Sequence, residues 1–84
     1  YPNPFNPETE IYFNLTQDED IILKVYNLKG QHVRTLEEGE YSSGEHSVIW
    51  NGKDDNDQPV SSGIYFYRLE AEGKILSRKM ALIK

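Results

Sequence analysis

Asp54, Asp55, Asn56 and Asp57 set four oxygen-bearing side chains in a row. Oxygen donors at alternate positions suit a hard cation such as calcium. The loop lacks the rest of that chemistry, because a calcium-binding loop of this type needs glycine at its sixth position and glutamate at its twelfth. Counting from Asp54 puts Pro59 and Tyr65 there, and counting from Asp55 puts Val60 and Phe66. The expectation is a solvated turn closed by aspartate-to-backbone hydrogen bonds, with no metal and no cofactor. His32 and His46 have no cysteine or carboxylate at ligand spacing. His46 alternates with Val48 and Trp50 on one strand face, which reads as a packed imidazole rather than a catalytic base. Ser42, Ser43, Ser61 and Ser62 sit beside glycine or serine in turns, and none lies in a G-x-S-x-G elbow. Nothing here assembles a catalytic set, and the expectation is that the chain is not an enzyme.

The composition narrows the field further. The 84 residues are one domain's worth, residues 1–84, and a chain this short builds one thin core. Hydrophobic residues make up 37%, with six tyrosines supplying much of the volume. Large clefts need two lobes or long loops, for which there is no room. Fourteen acidic against nine basic residues leave a net charge of -5, the wrong sign for a nucleic-acid binder. Cysteine is absent, which excludes a disulfide scaffold, a thiolate metal site and a cysteine nucleophile. The longest apolar runs, such as Ile21-Ile22-Leu23, are far too short for a transmembrane helix.

The elements that would position any site are strands. "TEIYFNLT" puts Ile11, Phe13 and Leu15 on one face, and "DIILKVYN" does the same with Ile21, Leu23 and Val25. "HSVIW" aligns His46, Val48 and Trp50; "GIYFYRLEA" aligns Tyr65, Tyr67, Leu69 and Ala71. In "ILSRKMALIK", Leu76, Met80 and Leu82 share a face with Arg78 between them. Alternation with β-branched and aromatic residues predicts about seven strands, near 9–15, 21–27, 31–36, 45–50, 58–60, 63–71 and 75–83. Turn signals at "TQDED", "NLKG", "EEGEYSSG", "NGKDDNDQP" and "AEGK" separate them. "NLKG" and the glycine of "EGK" read as tight hairpins. The fold class expected is all-β, an immunoglobulin-like antiparallel sandwich with Trp50 as core anchor. "SSGIYFY" has the spacing of a tyrosine corner, with Tyr65 bonding back to the loop before its strand and Tyr67 where a cysteine would otherwise sit.

Three surface features remain. Tyr12, Tyr26, Tyr41 and Phe66 are candidates for exposed rings, as a sugar-stacking platform or as cross-strand pairs that stiffen thin sheets. Arg78, Lys79 and Lys84 give the last strand a basic stripe in an acidic protein. Such charges guard an edge strand against aggregation or offer a handle to a receptor. Finally, "YPNPFNPETE" packs three prolines into ten residues; proline removes a donor and restricts its predecessor, so residues 1–8 read as an extended connector from a preceding segment.

Together "YPNPFNPETEIYFNL", "VYNLKGQHVRTL", "GEHSVIWNGKDDNDQPVSSGIYFYRL" and "GKILSRKMALIK" resemble the C-terminal sorting domain, type A, of the type IX secretion system, which is related to the immunoglobulin-like domain of flagellar hook-capping proteins. The Pro-Asn-Pro opening, the Trp-x-Gly-x-Asp turn, the Ser-Gly-x-Tyr strand and the Lys-Met-x-Leu-x-Lys ending stand in the family's order. One departure is Asp57, where the family often has glycine. The resemblance implies a module that directs its cargo through the outer-membrane translocon of Bacteroidetes-like bacteria, with shuttle proteins as partners. A sortase-like cysteine peptidase then removes it, and the cargo is attached to the cell surface or released. The recognition residues it implies are Pro2, Asn3, Pro4, Gly63, Tyr65, Lys79, Met80 and Lys84. Two other readings share the sandwich: a structural or carbohydrate-binding accessory domain of a secreted hydrolase, and a hook-capping domain.

Overall fold

The computed structural model describes residues 8–83. Six strands follow one another: β1 Thr9–Leu15, β2 Glu19–Asn27, β3 His32–Tyr41, β4 Gly44–Trp50, β5 Gly63–Ala71 and β6 Lys74–Leu82. β1 and β4 pair as one antiparallel sheet; β3-β2-β5-β6 form the other, also antiparallel throughout. The alternating apolar residues meet between the sheets, as period two demands. Ile11, Phe13, Leu15, Ile21, Leu23, Val25, Trp50, Tyr65, Leu69 and Leu82 form the buried core. No helix among the described residues is long and apolar enough to cross a membrane.

Trp50 is fully buried, and Tyr65 meets it edge-on with ring centroids 4.9 Å apart. Both polar ends are satisfied. The indole Nε1 donates to the Lys53 carbonyl at 2.9 Å, and the Tyr65 hydroxyl donates to the Ser61 carbonyl at 2.6 Å. The expected tyrosine corner therefore forms, with aromatic packing in place of a disulfide. Burying these groups without partners would cost more than the bonds themselves contribute.

Two expectations are corrected. Residues 58–60 are not a strand of either sheet, so the described residues hold six strands, not seven. The loop folds on itself instead: Lys53 bridges Pro59, Asp54 N donates to the Gln58 carbonyl and Val60 N to the Gly52 carbonyl. Pro59 has no donor to offer a ladder, and the segment's other bonds are spent inside the loop. Second, the stretch read as the turn "EEGEYSSG" is largely strand, because β3 continues to Tyr41. The register of β3 on β2 slips twice, leaving Leu36 and Val33 unopposed, and both pack against the core. These bulges break the period of two, which hid the strand's true length.

Candidate recognition surface

β6 is the edge of the four-stranded sheet, and it is held firmly at one end. Leu82 is buried and sits over Gly52 in the turn that follows Trp50. The Thr9 hydroxyl donates to the Ala81 carbonyl at 3.0 Å, so the start of β1 lies beside the end of β6. Upstream, six successive residues from Lys74 to Lys79 are exposed. Lys79 stands opposite Phe66 on the outer face, and Arg78 stands opposite Tyr67 on the inner face. The two-stranded sheet does not cover this part of the four-stranded one, so a cleft of about 480 Å³ opens between Phe13, His46, Tyr67, Leu76 and Arg78. That gap is why Leu76, expected inside, is 38% exposed.

The pairing of β5 with β6 brings four of the expected recognition residues together. Gly63 is opposite Leu82, and Tyr65 is opposite Met80 with Lys79 next in line. Their accessibility differs sharply: Lys79 and Gly63 are exposed, Met80 is half-buried and Tyr65 is buried. Tyr65 acts from within, by fixing the corner that positions Gly63 and Ile64. Gly63 and Ile64 border a groove of about 420 Å³ that also touches Leu28 and Lys29 of the β2–β3 turn. Pro2, Asn3, Pro4 and Lys84, with all but Glu8 of the connector 1–8, lie outside the described residues.

The acidic loop is built as a turn. Asp54 Oδ1 accepts from Asn56 N and Gln58 N, both at 2.9 Å, closing the loop by the expected aspartate-to-backbone bonds. Asp57 has φ +62°, the left-handed region that favours glycine. It is the position at which the resembled family often carries glycine. Three bonds clasp the loop to β3: Asp55 N to the Val33 carbonyl at 3.1 Å, Thr35 N to Asp55 Oδ1 at 3.0 Å, and Arg34 Nη1 to the Asp54 carbonyl at 2.8 Å. His32 joins this clasp, with Nδ1 3.6 Å from Asp55 Oδ2 and Nε2 2.9 Å from Thr35 Oγ1. The order carboxylate–imidazole–hydroxyl resembles a proton relay, but the His32 and Asp55 side chains are 39% and 49% exposed on an open edge. No group of three histidines, aspartates or glutamates among the described residues is placed to hold a metal ion.

His46 is packed, as its strand face implied. It stacks on Phe13, meets Tyr41 edge-on at 5.0 Å and bonds the Ser42 carbonyl at 2.7 Å through Nε2. The Tyr41 hydroxyl donates to Glu37, which pushes its pKa from 10.0 to about 12, with burial adding to the effect.

The four candidate rings do not form one platform. Tyr12 lies on the two-stranded sheet, 67% exposed, and bonds Glu10; Tyr41 points inward. Tyr26 and Phe66 are cross-strand neighbours on the outer face of the larger sheet. Around Tyr26 lies a network that sequence reasoning missed. Arg68 covers the ring at 4.7 Å, donates to its hydroxyl at 2.6 Å and pairs with Glu70 at 2.8 Å, while Lys24 reaches Glu70 at 3.4 Å. The hydrogen bond from Arg68 holds the Glu70 carboxyl below the usual range, Lys24 adding to it. Alternation already put Arg68 and Glu70 on one face; only the pairing of β2 with β5 brought Lys24 and Tyr26 to them.

Residues 5–74 match the family described as FlgD Ig-like domain. The chain belongs to that family. The match stops as β6 begins, so the basic strand lies beyond it. Among solved structures, FlgD from P. aeruginosa superposes with a TM-score of 0.74 at 23% identity, covering 96% of this chain and 64% of that one. Dimeric latent PorU from Porphyromonas gingivalis superposes with a TM-score of 0.72 at 16% identity, covering 100% of this chain and 9% of that one. The domain thus spans less than two thirds of either protein. A comparison with curated proteins finds no match. The immunoglobulin-like sandwich is the shared feature.

Proposed function

We propose that this FlgD-type Ig-like domain is a C-terminal secretion and cell-surface sorting signal, one that directs a cargo domain of the same chain through the type IX secretion system across the outer membrane. It performs no chemistry of its own. Its partners are the translocon and shuttle proteins, followed by a sortase-like cysteine peptidase that removes it. Cargo then stays at the surface or is released. The observation that carries this reading is β6: an exposed basic edge strand whose far end is pinned by Leu82 in the core, so that Lys79 is presented on a rigid support. The four motifs in family order support it. So does the occurrence of the same sandwich as a small part of the much longer PorU chain.

The test is export of a fluorescent cargo fused ahead of residues 1–84. Deleting 81–84 traps cargo in the periplasm, but it also removes Leu82 and so confounds folding with recognition. Lys79→Gln with Lys84→Gln is cleaner, because it leaves Leu82 in place, and a substitution at an exposed residue such as Lys79 changes stability by under about 0.5 kcal/mol. Export drops if a receptor reads charge by electrostatic complementarity. Normal export of the folded double variant moves the recognition site to Pro2-Asn3-Pro4 and Gly63-Ile64-Tyr65. A second reading, an FlgD-like Ig domain with no sorting role, is favoured by the family match; it requires export to be indifferent to the whole segment.

A further inference from the structure

The larger sheet ends in two edges of opposite charge. On β3, the clasp of Asp55 on Val33 and Thr35 occupies the first half of the edge. The stretch beyond, Leu36–Tyr41, carries Glu37, Glu38 and Glu40 and no basic residue. On β6, the Thr9 hydroxyl occupies the Ala81 carbonyl, and the preceding Lys74–Met80 carries Lys74, Arg78 and Lys79 and no acidic residue. Like charges keep β3 from pairing with β3, and β6 with β6, in a second molecule. Opposite charges favour β6 against β3.

Strand direction permits that junction. Every pairing across β3-β2-β5-β6 is antiparallel, so β3 and β6 run opposite ways. A second copy shifted along the sheet therefore brings its β3 antiparallel to β6 of the first. We propose that copies of this chain associate head to tail through these edges, extending the four-stranded sheet from one molecule into the next. The faces agree as well. Lys79 lies on the outer face opposite Phe66, and Glu38 lies on the outer face opposite Ile22. Setting Lys79 opposite Glu38 places Glu40 diagonal to Lys79, and the half-exposed Leu76 opposite Tyr41. Arg78 falls opposite Gly39, where no side chain obstructs it, and diagonal to Glu37. Such an interface uses two different patches, so it continues rather than closing at a dimer.

The test is sedimentation of the purified 84-residue chain over a wide concentration range, which needs no secretion machinery and so stands or falls apart from the export reading. At low salt, about 0.01 M with a Debye length near 30 Å, the weight-average mass at least doubles and keeps rising with concentration. At about 1 M salt, where the Debye length is about 3 Å, it returns to that of a monomer. One variant combines Arg78→Glu with Lys79→Glu, and another combines Glu38→Lys with Glu40→Lys. Each alone remains monomeric, since its two edges now repel; an equimolar mixture assembles, because acidic and basic edges again alternate. These side chains are all exposed, and recovery in the mixture also shows that both variants are folded. The proposal is overturned by a wild type that stays monomeric at low salt, by assembly that stops at a dimer, or by charge-swapped variants that assemble alone. A monomer that captures a separate glutamate-rich strand peptide overturns it too, in favour of a foreign partner.

Discussion

Leu82 rests on the bare α-carbon of Gly52: a Cβ at Gly52 would lie 3.1 Å from Leu82 Cδ2 and 3.2 Å from Cδ1. The contact ties the end of the last strand to the turn after Trp50, and the backbone there has φ +75°. Gly52→Ala meets both obstacles at once. It costs about 2–3 kcal/mol, from left-handed strain and crowding of Leu82. Thermal melting checks this; an unchanged midpoint would mean that β6 is not held by this contact.

Trp50 and Tyr65 separate packing from hydrogen bonding. Trp50→Ala empties the centre of the core and costs about 3–5 kcal/mol, enough to unfold much of so small a domain. Tyr65→Phe keeps the ring against Trp50 and removes only the bond to the Ser61 carbonyl, for about 1 kcal/mol. Denaturant titration of both variants ranks them. Equal losses would show that the corner, not the indole, dominates.

Calcium leaves the melting temperature nearly unchanged, because Asp54 Oδ1 is already spent on two backbone donors. A bound ion at a hundred times its dissociation constant would add about 2.7 kcal/mol. A clear upward shift, abolished by Asp55→Asn with Asp57→Asn, would overturn the reading of the loop as a turn.

Tyr41 makes one part of stability alkali-sensitive. Its folded pKa is raised from 10.0 to about 12 by its bond to Glu37, so the stabilisation is complete below pH 10 and is lost as pH climbs through about 12. Tyr41→Phe therefore costs about 1 kcal/mol near neutrality, and the difference from the parent narrows above pH 10. Paired unfolding curves across that range test it; a constant difference would mean that the hydroxyl is not engaged.

How much of this was legible beforehand depends on whether the signal is local. Ile11, Phe13, Leu15, Ile21, Leu23 and Val25 announced their strands and inner faces, because one buried face imposes a period of two on any such chain. The Tyr65 corner and the packed His46 followed from spacing along a single strand. The length of β3 did not, since two bulges interrupt the period and Gly39 with three glutamates mimics a turn. The extra strand at 58–60 failed for the opposite reason: Gln58-Pro59-Val60 looks extended, but its hydrogen bonds close within the loop.

What the sequence determined by itself was the strand pattern, the identity of the core and the basic character of the last segment, all of which are set by neighbours a few residues apart. Strand order was decided only by the tertiary structure. It placed Arg68 on Tyr26, 42 residues away, brought Thr9 to Ala81 across 72 residues, and put β3 and β6 at opposite edges. Alternation says which face a side chain takes but not which strand lies beside it. That choice is made by how two sheets of unequal width bury one shared core.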